Sequence, residues 1–66
     1  MRVQVNGKAQ NLPDEATISK LLDQLHVKTD GTAVELNRTI VPRARYPETP
    51  LKEGDAVEIV TFVGGG

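Results

Sequence analysis

One stretch of this sequence carries the apolar spacing of a helix, and it is short. Ile18, Leu21, Leu22 and Leu25 fall at i, i+3, i+4 and i+7, a single apolar stripe. Ser19, Lys20, Asp23 and Gln24 fill the wet side. Thr17 is placed to cap the first turn, and Asp14 and Glu15 put negative charge near the positive end of the helix dipole. A helix over 17–25 is too short to persist alone in water. It needs a sheet to lie on.

The rest of the chain supplies one. Met1, Val3 and Val5 alternate with Arg2, Gln4 and Asn6, the period of a half-buried strand. Asn6-Gly7 follows, a pair that tolerates the positive φ of a type I′ hairpin turn. A second strand is expected over about 8–12, stopped by Pro13. After the helix, Thr29-Asp30-Gly31 reads as a loop, 33–37 as a third strand and 38–41 as a short fourth one. Pro42, Pro47 and Pro50 make 42–50 irregular or a short turn of helix, with Leu51 plugging the core from this segment. Glu53-Gly54-Asp55 is a turn. The last strand is expected over 56–63, with Val57, Ile59 and Thr61 on one face and Glu58, Val60 and Phe62 on the other. Hairpin, helix and returning strands make an α+β plan, one sheet with one helix across it.

Composition narrows what such a plan can do. The chain has 66 residues, so it forms one domain. A domain this small buries only roughly 60% of its unfolded surface. With no cysteine, it has no disulfide to compensate, no thiol nucleophile and no cysteine-ligated metal site. That usage points to a reducing, cytoplasmic setting. The 38% apolar content is enough for one core and too high for a disordered tail. Eight basic and nine acidic residues give a net charge of −1, which argues against nucleic acid as the main partner. No apolar run approaches a membrane span, and Met1-Arg2-Val3-Gln4 lacks the apolar stretch of a signal peptide.

Catalytic candidates are few. His26, the one histidine, falls just after the helix, where a surface or helix-end role is the ordinary reading. A catalytic or ligating role needs partners at ligand spacing, and none is evident. The carboxylates Asp14, Glu15, Glu53, Asp55 and Glu58 sit beside turns or on strands, as solvated charge does. Gly7, Gly31 and Gly54 are isolated turn glycines rather than a phosphate loop. The reading is of a chain that is not an enzyme.

The exception is Gly64-Gly65-Gly66. Three glycines after an apolar strand are costly to order and offer no side chain. A frayed end or an engineered remnant is one explanation. Frayed ends are, however, usually richer in Ser, Lys or Glu, and engineered linkers usually continue into a tag. The other explanation is chemical. A backbone without Cβ atoms threads a narrow channel and presents its terminal carboxylate to a second enzyme. Attack of the Gly66 carboxylate on the α-phosphate of ATP gives an acyl-adenylate, from which a sulfur or nitrogen nucleophile displaces AMP. The partner supplies the ATP site and Mg²⁺, because this chain has neither a phosphate loop nor arranged acidic ligands.

Three stretches together resemble a known family. They are the opening strand Met1–Asn6, the segment Leu36-Asn37-Arg38-Thr39-Ile40-Val41-Pro42-Arg43, and the run from Gly54-Asp55 through Val57-Glu58-Ile59-Val60 to Phe62-Val63-Gly64-Gly65-Gly66. The chain resembles the ThiS family of thiamine-biosynthesis sulfur carriers, within the ubiquitin-like superfamily, over its whole length. The resemblance implies a β-grasp fold: a mixed sheet with one helix packed across it over 1–63, and a flexible glycine tail over 64–66. It implies that a ThiF-like adenylating enzyme activates Gly66 with ATP. Sulfur ultimately derived from cysteine then makes a covalent thiocarboxylate there, and a ThiG-like thiazole synthase accepts the sulfur. Gly65 completes the diglycine, and Gly64 is an additional glycine of the tail. No cofactor is bound by the chain itself.

An apolar patch of Val60, Phe62 and Val63 beside the tail would be the partner-binding surface. Cover by a neighbouring loop or by a second copy is the alternative for Val60 and Phe62. Arg38, Arg43 and Arg45 form a local basic cluster that suits an acidic partner as well as it suits a solvated loop. Other readings of the chain are a molybdopterin-synthase small subunit, a modifier joined to lysines, and a plain interaction module with an incidental tail. Small-subunit chains of that synthase tend to be longer and lack the Asn-Arg-x-Ile-Val-Pro-Arg segment.

Overall fold

The computed structural model describes residues 1–62. Its first hairpin joins β1 (Arg2–Val5) to β2 (Lys8–Asn11), antiparallel, with Val5 opposite Lys8. Both turn residues have positive φ, +49° at Asn6 and +84° at Gly7, as a type I′ turn demands. Leu12 is just past the strand, but its N–H still reaches the Met1 carbonyl at 2.8 Å.

The helix α1 spans Ile18–Gln24. Thr17 caps it, its side-chain oxygen accepting from the Lys20 N–H at 3.2 Å. At the other end His26 takes φ +58°. Its N–H donates to the Asp23 carbonyl at 3.1 Å, and the Val27 N–H donates to the Leu22 carbonyl at 2.9 Å. That pair of bonds is the Schellman closure, so His26 fills a position usually given to glycine. The ordinary reading of His26, a surface residue at the helix end, is the observed one.

Strands β3 (Thr32–Leu36) and β4 (Thr39–Val41) form a second tight hairpin. The expected strand from Arg38 starts one residue later, because Asn37 and Arg38 make the turn with φ +50° and +70°. The proline segment is a 3₁₀ helix over Arg43–Glu48 with Pro47 inside it. It is tied to the start of α1: the Ile18 N–H donates to the Thr49 carbonyl at 3.1 Å and the Leu51 N–H to the Ala16 carbonyl at 2.8 Å. The last strand, β5, covers Ala56–Thr61 and is shorter than the expected 56–63. Phe62 has left the strand, although its N–H still donates to the Gly31 carbonyl at 2.8 Å. Val63 and Gly64–Gly66 lie outside the described residues.

The sheet order is β2-β1-β5-β3-β4. Only β1 and β5 run parallel, and the other pairs are antiparallel. This is the expected mixed sheet with one helix across it. The helix face carries Val3 and Val5 from β1, Val34 from β3 and Val57 from β5, all buried. Ile18, Leu21 and Leu22 of the stripe are buried against them, and Leu25 is partly buried. Leu51 enters the core as expected, and Tyr46 of the 3₁₀ helix enters it too, a burial that no periodicity in the proline segment signals. Tyr46 is the large side chain that lets a proline-rich segment close one side of the core.

Leu21 is fully buried in a core supplied by few side chains. Replacing it by alanine (L21A) removes that contact and leaves a cavity. The expected loss is about 2–5 kcal/mol, enough to unfold much of a domain of this size. A urea melt of the variant beside the parent chain checks it.

Candidate functional site

The residues expected to carry chemistry, Gly64, Gly65 and Gly66, lie outside the described residues, as does Val63. What the structure does place is the strand that leads to them. β5 is the middle strand of the sheet, bonded to β1 on one side and β3 on the other. Its parallel ladder with β1 has Gln4 opposite Ala56 and Val5 opposite Val57. Beyond that point the backbone of β1 turns away into the hairpin.

A side chain takes over there. Asn6 Oδ1 accepts from the Ile59 N–H at 2.8 Å, and Asn6 Nδ2 donates to the Ile59 carbonyl at 3.1 Å. The amide therefore mimics a strand residue and carries the ladder further along β5. Asn37 holds the start of the strand in a different way: its Oδ1 accepts from the Ala56 N–H at 2.9 Å, while its Nδ2 donates to the Asp55 carboxylate at 3.1 Å. Both asparagines sit in the left-handed region at hairpin tips, with φ +49° and +50°. Sequence pattern alone makes Asn6 a turn former and puts Asn37 at the end of the third strand, whereas Asn37 lies in the β3–β4 turn, one residue past β3. A turn asparagine adjoining a strand that needs an outside partner was the available signal.

The face of the sheet away from the helix is open. Val60 is 48% exposed and Phe62 66%, as the alternation of β5 required. Ile40 joins them at 71% and was missed. Its signal was in β4, where Ile40 and Val41 are adjacent: in a strand only one of two neighbours faces the core, and Val41 is the one packed there. Between these apolar residues lie two carboxylates. Glu35 of β3 stands opposite Glu58 of β5 on one side and opposite Ile40 of β4 on the other.

The remaining candidates are dispersed. Arg43 pairs with Asp30 at 3.2 Å in an exposed contact of small energetic weight. Arg38 is at the β3–β4 turn and Arg45 in the 3₁₀ helix. His26 helps line a surface hollow with Asp23, Val27, Lys28 and Asp30, but forms no ion pair there. Among the described residues no group of three or more His, Cys, Asp or Glu side chains is placed to hold a metal ion. No helix of the described residues is long and apolar enough to cross a membrane.

Residues 3–66 match the model of the ThiS family. The chain belongs to that family. It is 40% identical to the sulfur carrier protein ThiS of Bacillus subtilis (strain 168) over 65 residues, covering 97% of this chain and 98% of that one. It is 39% identical over 66 residues to a thiazole synthase of Paramagnetospirillum magneticum, where it covers all of this chain but spans only 20% of the relative's length. Among solved structures, the crystal structure of the thiamine biosynthesis protein ThiS from Geobacter metallireducens superposes with a TM-score of 0.85 at 36% identity, covering 100% of both chains. The mixed sheet with its single crossing helix is thus the ThiS β-grasp.

The asparagine clamp is separable from the turn it occupies. Asn6→Gly keeps the left-handed backbone and deletes the amide. The expected cost is about 1–2 kcal/mol in a denaturant melt, with faster hydrogen exchange at the Ile59 N–H. Asn6→Asp keeps an acceptor for that N–H but loses the donor, and should fall between Asn6→Gly and the parent.

Proposed function

We propose that this chain is a sulfur carrier for thiamine thiazole synthesis, with Gly66 as the residue that carries the sulfur. Membership of the ThiS family, over a match that runs through Gly66, carries the reading. Full-length relatives named as sulfur carrier proteins support it, and so do thiazole synthases that contain a segment like this whole chain. Those relatives favour the thiazole reading over a molybdopterin-synthase small subunit.

The chemistry follows from what a carboxylate lacks, a leaving group. A ThiF-like partner binds ATP, and a Gly66 carboxylate oxygen attacks the α-phosphorus. Pyrophosphate leaves and an acyl-adenylate forms. A sulfur nucleophile, its sulfur drawn ultimately from cysteine, then attacks the carbonyl carbon and expels AMP. With a persulfide as that nucleophile the product is an acyl disulfide, and a thiol reductant then cleaves its S–S bond, supplying the two electrons that leave a thiocarboxylate at Gly66. A ThiG-like thiazole synthase accepts that sulfur. Gly65 and Gly64 contribute slender backbone, which fits a channel that no side chain could enter. Val60, Phe62 and Val63 form the apolar contact with the partner. The chain acts as the carrier while its partners do the catalysis.

Intact-mass measurement tests the reading. The full chain is incubated with ATP, a sulfur source and a cell extract shown to thiocarboxylate a known carrier. A gain equal to one oxygen replaced by sulfur, mapped to Gly66 and absent when Gly65 and Gly66 are deleted, is the expected result. An unchanged mass would leave the chain an interaction module or a conjugated modifier.

A further inference from the structure

The open sheet face poses an electrostatic problem. Glu35 and Glu58 are direct cross-strand partners on β3 and β5. Opposed residues on adjacent strands have Cβ atoms roughly 5 Å apart, and like charges there are destabilising. No lysine or arginine relieves them: the ion pairs among the described residues are Met1 with Asp14 and Arg43 with Asp30. Neither carboxylate takes part in a side-chain hydrogen bond among the described residues. In water this arrangement is tolerable, because solvent screens exposed charge.

It stops being tolerable when the face is covered. Ile40 flanks Glu35 across the β3–β4 ladder, Val60 follows Glu58 along β5, and Phe62 comes just after the strand ends. The apolar residues therefore bracket the acidic pair. A partner that buries Ile40 together with Val60 must also lie over both carboxylates. An all-apolar partner surface would strip water from two unpaired negative charges, a loss that exceeds the gain from the apolar contact. A second copy stacked through this same face would bring four carboxylates together. The covering surface has to bring a cation.

We propose that the open face docks a partner protein through an arginine set among apolar side chains, with Glu35 and Glu58 as its paired acceptors. Arginine fits better than lysine. Its planar guanidinium has donors on two edges and can serve both carboxylates at once, while carrying less tightly held water. The apolar collar excludes solvent and strengthens the contact. Two carboxylates that repel each other in the free chain become complementary in the complex. Their repulsion is a cost kept in the isolated fold and relieved on docking.

The inference takes from the carrier reading only its probe, the cognate ThiF-like adenylating enzyme. The full chain and the double variant Glu35→Gln/Glu58→Gln are titrated with that enzyme at low and high salt. Their Tm values are taken in parallel, and Gly66 is followed by mass. The double variant is expected to bind at least about tenfold more weakly, with a smaller salt dependence. Its Tm in the free state is expected to rise, because the repulsion is gone. A merely structural role would move both readouts the same way. Glu58→Lys should also raise Tm and weaken binding further.

Equal binding by parent and double variant overturns the docking surface, and sulfur appearing on Gly66 in that case leaves the carrier reading intact. Carboxylate-dependent binding without any gain of sulfur does the reverse. A parent chain that does not bind the enzyme overturns the inference. So does self-association that the double variant abolishes, which would give the face to a second copy.

Discussion

Everything in this fold hangs on β5, the last strand in sequence and the middle one in space. It is inserted between β1 and β3, and without it the sheet would fall into two separate hairpins, β1–β2 and β3–β4. An isolated two-stranded hairpin is marginal in water, so neither half is a stable platform for the helix. The pairing of β5 with β1 is also the one parallel contact, and its backbone register covers only two residue pairs. Asn6 and Asn37 supply what that short ladder lacks. Each has a left-handed backbone that closes a hairpin and an amide that grips β5. One residue type thus solves two problems, because asparagine tolerates positive φ and also offers a donor and an acceptor like those of a peptide.

A chain with one helix can cover one face of a sheet. Val3, Val34 and Val57 use that cover, together with Tyr46 and Leu51 from the proline segment. The opposite face is left to water or to a partner. Its residues reflect that: apolar groups at Ile40, Val60 and Phe62, and charge at Glu35 and Glu58. An open face that was only solvated would have no use for Phe62 at 66% exposure. One that was only apolar would have no use for two opposed carboxylates. The mixture makes sense when the covering surface is itself mixed.

How far the sequence could be read depended on whether the relevant force was local. The Asn6-Gly7 turn, the Thr17 cap and the Ile18-Leu21-Leu22 stripe are set by neighbours within a few residues, and all stand where alternation and capping rules put them. Val60 and Phe62 were legible for the same reason: period two allows only one face to meet the helix. Tyr46 was not, because proline-rich segments carry no period, and its burial depends on how Thr49 and Leu51 bond back to the start of α1. Nor was the Glu35–Glu58 pairing, since no local rule says which residues two distant strands set opposite each other. Asn37 failed to show for a related cause: its partners are at Asp55 and Ala56, and a contact across that much sequence has no local signature. The clamp and the acidic pair are both properties of β5's neighbours, and became readable only with the strand order.

The strand order also sets where the described chain leaves the sheet, beside the face proposed for docking. Four residues separate Phe62 from the Gly66 carboxyl group. A chain of that length spans at most about 14 Å even when fully extended. Any enzyme that acts on Gly66 must therefore bring its active site to within that distance of Phe62. Its surface meets the open sheet face or passes beside it. On the carrier function proposed above, recognition and chemistry fall within one footprint, and the cation proposed to answer Glu35 and Glu58 belongs to the enzyme that acts on Gly66. The fold needs no catalytic residue of its own for this. Its part is to hold β5 in the middle of the sheet, so that the open face has a set place beside Phe62. The two asparagine clamps fasten β5 in that place.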